Sequence, residues 1–352
     1  MKPFEGMNQL GHEQVVFCND QSSGLKAIIA IHSTALGPSL GGCRLYPYGS
    51  EEDALRDVLR LSRGMTYKAA ITGLDLGGGK AVIIGNPREV KSEALFRAFG
   101  RFVDSLGGRY ITAEDMNTTE EDMNAVRQET RWVTGVAAKQ GGLGDPSPVT
   151  AWGVFQGIRA CLDEVYGTPD VANRTVAIQG VGSVGFHLAR YLKERGANLL
   201  FSDIHEGNLK RAVGELGGDV VPGDQYFGLK CDVLAPCAIG AVVNPKTIPQ
   251  LRVPIIAGGA NNILAVEDRD AADLTERGII YAPDYVINAG GLISVNCELR
   301  GFSMDKAMED ATNIYSTLKT VLETAKKEGT TTVQASDAVA LGRLNRAKHS
   351  SQ

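Results

Sequence analysis

Two lysines stand twelve positions apart in "GMTYKAAITGLDLGGGKA", residues 64 to 81: Lys68, and Lys80 directly behind three glycines. A lysine after glycines first suggests the phosphate-cradling loop G-x-x-x-x-G-K-[ST], whose hydroxyl holds a magnesium ion. Two residues break the match and leave a nucleotide phosphotransferase a minor alternative. Leu74 occupies the position of the first glycine, and Ala81 follows Lys80 where the hydroxyl is required. Fixed cations suit instead an anionic or carbonyl-bearing small molecule, and an amino or keto acid is both. One lysine then clamps a carboxylate. The other acts on the carbon that bears the carbonyl. On sequence alone Lys80 reads as a lysine on a flexible glycine corner.

A second constellation lies in "RTVAIQGVGSVGFHLARYLKERGANLLFSD", where Gly180, Gly182 and Gly185 make G-x-G-x-x-G. Glycines are common, so the pattern alone is weak, but its surroundings are informative. An apolar strand precedes it, a helix opens behind it, and a second strand ends in Asp203, eighteen residues beyond the last glycine. The glycines permit a tight turn and close backbone approach, and the helix amino terminus accepts a pyrophosphate. Asp203 is placed to hydrogen-bond both ribose hydroxyls and to repel a 2'-phosphate. NAD is therefore expected over NADP, with His205, Lys210 and Arg211 nearby leaving a small opening for the latter.

Elements must carry these residues, and a chain of 352 residues exceeds the usual size of a single core. In the first half "LKAIIAIH" reads as a strand. Ser50 and Asp53 form a capping box ahead of Leu55, Val58 and Leu59 at helical spacing. A second helix starts near Ser92, carries Leu95, Phe99, Phe102, Val103 and Leu106, and stops at Gly107 and Gly108. "RYITAEDMN" reads as a short strand ending in acids. The stretch "KQGGLGDPSP", 139 to 148, concentrates Gly and Pro as a hinge does. Beyond it the runs "CDVLAPCA", "VPIIAGGAN" and "GIIYAPD" continue the alternation of a doubly wound α/β domain. A long helix is expected from Ser303 to about Lys327, carrying Ala307, Ala311, Ile314, Leu318 and Val321 on one face, and then a helical tail. The expected organisation is α/β with two domains and a cleft between them. Residues 1–147 hold the substrate, with a tail of about 330–352 returning to them, and 148–329 form a Rossmann-type dinucleotide domain.

A net charge of -5, with 22% charged and 43% hydrophobic residues, offers no broad basic field for nucleic acid. The amino terminus has no apolar signal region and no stretch approaches eighteen uninterrupted apolar residues, so no membrane association and a cytoplasmic location are expected. Six cysteines without CxxC pairing and five scattered histidines predict reduced thiols and no metal site.

Seven motifs in order, "GPSLGGCR" (37 to 44), "GMTYKAA" (64 to 70), "LGGGKAVI" (76 to 83), "TAEDMNTT" (112 to 119), "PCAIGAVV" (236 to 243), "AGGANN" (257 to 262) and "YVINAGG" (285 to 291), span nearly the whole chain. Together they resemble the glutamate/leucine/phenylalanine/valine dehydrogenase family, and most of all its leucine, valine and tryptophan branches. The resemblance implies that Lys68 binds a substrate α-carboxylate, that Lys80 is catalytic and that Asp115 completes the site as general base. It implies reversible oxidative deamination of an L-amino acid to the 2-oxo acid and ammonia. Thr150 and one residue of the Asn261–Asn262 pair, with Asn262 preferred, would approach the nicotinamide. It also makes the first domain an oligomerisation domain, in a homo-oligomer that is either a dimer or an octamer.

Glutamate-specific members carry lysine and serine where this chain has Leu40 and Val295. An apolar substrate follows, because a buried carboxylate without partners is strongly disfavoured. Leu40 and Gly41, Met65, Ala113, Leu292 and Val295 are the candidate contacts to the substrate. Branched-chain amino acids are favoured, with phenylalanine or tryptophan as the alternative and a catalytically silent NAD- or amino-acid-binding regulator as the alternative of another class.

Overall fold

The computed structural model describes residues 2–350 except 138 and 140. Two compact units divide the chain: Met1–Gly144 with Glu298–Phe302 and Ala340–Gln352, and Asp145–Cys297 with Ser303–Val339. The first crossing falls within the Gly- and Pro-rich stretch.

In the first unit the order is α1 (Pro3–Leu10), β1 (Gln14–Asp20), β2 (Leu25–Ser33), β3 (Ser39–Tyr46), α2 (Glu51–Ile71), β4 (Gly77–Ile84), α3 (Pro87–Val90), α4 (Glu93–Ser105), β5 (Tyr110–Glu114) and α5 (Glu120–Arg127). The strands form one mixed sheet in the order β1-β2-β4-β3-β5, antiparallel where β2 meets β1 and β4 and parallel from β4 to β5. β2 is almost continuously apolar because both faces of the sheet are covered. Ile29 and Ile31 join Leu95, Phe99, Val103 and Met123 in one core, while Ile28 and Ala30 join Leu55, Val58 and Leu59 of α2 in another. Helix starts follow local chemistry: the hydroxyls of Ser50, Ser92 and Thr119 each accept an amide of the first turn, satisfying donors that have no partner within the helix.

Lys80 lies on β4, not on a flexible corner. Gly77, Gly78 and Gly79 are strand residues, and each is glycine because its neighbours leave no room for a side chain. A Cβ on Gly77 would stand 2.0 Å from the Ser33 carbonyl oxygen, one on Gly78 2.1 Å from the Thr66 amide nitrogen, and one on Gly79 2.7 Å from the Tyr110 ring. Gly64 does not interrupt α2 either, so Lys68 shares the helix that the Ser50 cap begins.

The second unit contains α6 (Ser147–Tyr166), β6 (Thr175–Gln179), α7 (Ser183–Lys193), β7 (Asn198–Ser202), α8 (Glu206–Leu216), β8 (Asp219–Val220), β9 (Val233–Pro236), β10 (Ile255–Ile256), α9 (Glu267–Glu276), β11 (Ile280–Tyr281), α10 (Asp284–Ile287), α11 (Gly290–Leu299, whose end belongs to the first unit), α12 (Met304–Thr312) and α13 (Ile314–Glu328). The last helix, α14 (Thr332–Ser350), passes from the second unit to the first at 339/340. All six strands are parallel, in the order β11-β10-β9-β6-β7-β8. Strand order reverses beside β6, which makes the turn after β6 the crevice where ligands of such sheets bind.

The helix expected as one piece from Ser303 to about Lys327 is two, broken at Asn313. There the Asn313 amide bonds back only three residues, to the Asp310 carbonyl, and Ile314 turns into the space above Gly153, whose Cβ would lie 2.6 Å from Ile314 Cδ1. No helix among the described residues is long and apolar enough to cross a membrane. No cluster of three or more His, Cys, Asp or Glu among them is arranged to hold a metal.

Candidate active site

Sheet register gathers the first unit's candidates. Leu40 on β3 is beside Gly78 on β4 and Ile111 on β5, and Gly42 is beside Ala113. Residues two apart on a strand share a face, so Leu40, Gly42, Ala113 and Lys80 lie on the face that α2 covers. The missing side chain of Gly42 leaves its place to Asp115, whose Cβ would stand 2.8 Å from a Cβ there. Leu40 is 2% exposed, whereas Ala113, Met65 and Lys68 are half-buried. Gly41 alternates to the opposite face: a Cβ on it would stand 1.8 Å from the Gly79 oxygen, and its carbonyl accepts the Tyr110 hydroxyl at 2.6 Å.

Lys80 and Asp115 meet on this face. Lys80 Nζ stands 2.9 Å from Asp115 Oδ1, and Lys80 is only 6% exposed. Arg44 Nε donates to the other oxygen, Oδ2, at 2.9 Å. Burial pushes the Asp115 carboxyl up, but the charges and hydrogen bonds of Lys80 and Arg44 outweigh it and hold it down to about 2. Asp115 is thus ionised at any working pH, with one oxygen aligned on a buried ammonium. The backbone is held as well, since the Asp115 amide donates to Thr118 Oγ1 at 2.8 Å.

In the second unit the glycine turn follows β6. Gly180 has φ +87°, a conformation that L side chains rarely adopt, and its Cβ would stand 2.6 Å from the Ala238 side chain. Gly185 packs the turn on itself, its Cβ position 1.9 Å from the Gly180 oxygen. Gly182 differs, because a Cβ there would meet nothing within 4 Å. It opens α7, whose start carries no side-chain cap, so first-turn amides face open space at the positive end of the helix. Asp203, just past β7, accepts the Val181 and His205 amides, each at 2.8 Å, and the Asn208 side chain at 3.2 Å. Partial burial pushes its carboxyl up; these donors prevail and lower it. An open cradle, an uncapped helix start and a carboxylate at the next strand end fit a dinucleotide.

Beyond the turn, the Asn288 amide group of the "NAGG" motif donates to Asn261 Oδ1 at 2.8 Å. Asn262 beside it is exposed, with a left-handed φ of 52°. Gly290 and Gly291 lie against the start of α6: a Cβ on Gly290 would stand 2.6 Å from Thr150 Cα, and one on Gly291 3.3 Å from Thr150 Oγ1. Leu292, buried, and Val295, half-buried, lie on α11 in the second unit, whereas Leu40, Gly41, Met65 and Ala113 belong to the first.

Arg44, Asp57 and Tyr48 were not legible as site residues. Arg44 closes the quoted "GPSLGGCR" stretch, but its two carboxylates come from α2 and from beyond β5, and only the register shows that it faces them.

Models of two families match the chain: Glu/Leu/Phe/Val dehydrogenase, dimerisation domain, over residues 12–132, and Glutamate/Leucine/Phenylalanine/Valine dehydrogenase over 202–351. Leucine dehydrogenase of Bacillus cereus is 51% identical over 347 residues, 99% of this chain and 94% of that protein. Valine dehydrogenase of Streptomyces virginiae is 48% identical over 344 residues, covering 97% and 96%. The crystal structure of L-tryptophan dehydrogenase from Nostoc punctiforme superposes with a TM-score of 0.90 at 45% identity, covering 98% of this chain and 99% of that one.

Proposed function

Since this chain belongs to the glutamate/leucine/phenylalanine/valine dehydrogenase family and is an amino acid dehydrogenase, we propose that it catalyses reversible NAD-dependent oxidative deamination of an apolar L-amino acid, with leucine, valine and isoleucine favoured. The observation that carries this reading is the pairing of buried Lys80 with half-buried Asp115 on the sheet face that also bears Leu40. Leu40 supplies no partner for a second carboxylate, and leucine and valine dehydrogenases are similar over almost the full chain.

The chain's own residues divide the work. Lys68 binds the α-carboxylate as a point charge on α2. Asp115, ionised through its two cations, takes a proton from the α-ammonium so that the amine lone pair becomes available. Bound nicotinamide supplies the acceptor for the hydride of Cα. Lys80 takes a proton from water as that water attacks the imine carbon, and the charge it gains offsets the charge that develops there, until the carbinolamine releases ammonia and the 2-oxo acid. Gly180, Gly182 and Gly185 hold the pyrophosphate, Asp203 the adenosine ribose, and Thr150 and Asn262 the nicotinamide end. A homo-oligomer is proposed because the model over residues 12–132 is that of a dimerisation domain.

A panel of L-amino acids with NAD or NADP, followed by absorbance of the reduced cofactor, tests this reading. The highest kcat/KM is expected with a branched-chain substrate and NAD. The similarity to L-tryptophan dehydrogenase favours a second reading, an aromatic substrate, and highest kcat/KM with tryptophan or phenylalanine would establish it. Preference for glutamate would overturn the apolar pocket.

A further inference from the structure

Arg44 stands on the site face of β3, two residues beyond Gly42, with its side chain 18% exposed. Nε donates to Asp115 Oδ2 at 2.9 Å and Nη1 to Asp57 Oδ2 at 2.9 Å. Asp57 also accepts the Tyr48 hydroxyl at 2.7 Å and Arg60 at 3.1 Å. Each oxygen of Asp115 therefore has its own cation, Lys80 on Oδ1 and Arg44 on Oδ2. Asp57 belongs to α2, the helix that presents Lys68 three turns further on, so one guanidinium joins the carboxylate to the helix of the other lysine.

Taking an arginine this far out of water costs free energy that an aliphatic side chain would not incur. Leu45, the next residue on β3, is such a side chain, fully buried on the other face. A planar guanidinium fixes a carboxylate's direction as well as its charge, which a flexible ammonium does not.

We propose that Arg44 is a positioning residue for the deamination: it holds the Asp115 oxygen turned away from Lys80, aligns the other oxygen on the lysine, and shares the carboxylate's charge so that Lys80 is not bound by all of it. The proposal rests on Asp115 and Lys80 being the acid–base pair. With Arg44 removed, Lys80 faces the full charge of Asp115 alone, and deamination requires a higher pH.

The test compares Arg44→Gln, Arg44→Lys and Asp115→Asn with the parent in the full-length protein. It measures kcat and KM for deamination against pH, and NADH affinity by fluorescence titration. In Arg44→Gln the midpoint of the pH–rate profile should rise by about one unit and kcat should fall about tenfold to a hundredfold, with NADH affinity kept. Arg44→Lys keeps a cation but cannot serve both carboxylates, so its midpoint should stay near the parent's while kcat falls. A parental midpoint in Arg44→Gln, or an equal shift in both variants, overturns the proposal. Should Arg44→Gln not fold, Arg44→Lys decides, since parental kcat there refutes the need for the fork. If Asp115→Asn retains turnover, the acid–base reading fails and Arg44 with it. If Asp115→Asn is inactive while Arg44→Gln matches the parent, only the role of Arg44 fails.

Discussion

Glycine serves opposite ends in the two units. Gly77, Gly78 and Gly79 of the first remove side chains so that protein can close on protein: a Cβ on Gly78 would enter the backbone of α2 at Thr66, one on Gly77 the Ser33 carbonyl, and one on Gly79 the Tyr110 ring. On the proposed function, chemistry there falls to long charged side chains, Lys68 on α2 and Lys80 on β4. A Cβ on Gly182 of the second unit would meet nothing within 4 Å, and the helix it opens has no side-chain cap, which on the proposed function leaves backbone amides to meet a dinucleotide. On that reading one unit works through charge placed on a tightly packed face, the other through an exposed main chain. A glycine's role thus depends on what its absent Cβ would meet.

Four substitutions and a change of pH press on that contrast. Lys80→Ala should show the largest effect, a loss of kcat on the order of 1,000-fold, with NADH affinity unchanged because the cradle belongs to the other unit. Stopped-flow turnover and a fluorescence titration check both halves; weakened NADH binding would blur the division. Next, Gly78→Ala pushes a methyl against the Thr66 backbone and should cost about 3 kcal/mol of stability in a denaturant titration. Gly182→Ala should leave stability nearly untouched and raise KM for NAD instead. Equal destabilisation by the two would erase the distinction.

Acid should separate the units next. His12 and His32 are buried in the first unit, rings 4.8 Å apart, with His12 on Ser62 and His32 on Thr66 at 2.8 Å each. Burial lowers both from 6.5 to about 4; the Leu59 carbonyl partly opposes this for His12, and the charge of His12 adds to it for His32. The unfolded chain takes up these protons first, so the contribution is complete above about pH 6.5 and is lost as pH falls toward 4. About 1 kcal/mol per histidine is expected after allowance for solvent screening. Thermal unfolding between pH 7 and 4 should show a falling midpoint that His12→Gln with His32→Gln flattens; an unchanged slope would acquit the pair. The smallest effect is at Asp203. Asp203→Ser removes the repulsion of a 2'-phosphate and should narrow the NAD over NADP ratio in kcat/KM by about tenfold, or about 1.4 kcal/mol. A parental ratio would mean that the carboxylate serves only the Val181 and His205 amides.

Local chemistry was legible from the chain alone. Hydroxyl caps at Ser50 and Ser92, the strand–glycine turn–helix around Gly180, and the apolar runs of the parallel sheet depend on residues a few positions apart, whose interactions form wherever the segment goes. The resemblance of the motifs likewise implied roles for Lys68, Lys80 and Asp115, and the structure brings the last two within 2.9 Å of each other. What the chain could not show was set by pairing between distant strands. β4 is a strand because β2 and β3 flank it, although three glycines in a row have poor strand propensity. Register brings Leu40 beside Gly78 and puts Gly41, its neighbour in sequence, on the opposite face. Tertiary structure alone decided that Asp115 has two cations and that Arg44 is one of them, because a carboxylate's charge environment is made by side chains from separate elements, converging over a few ångströms, and spacing along the chain carries no measure of that distance.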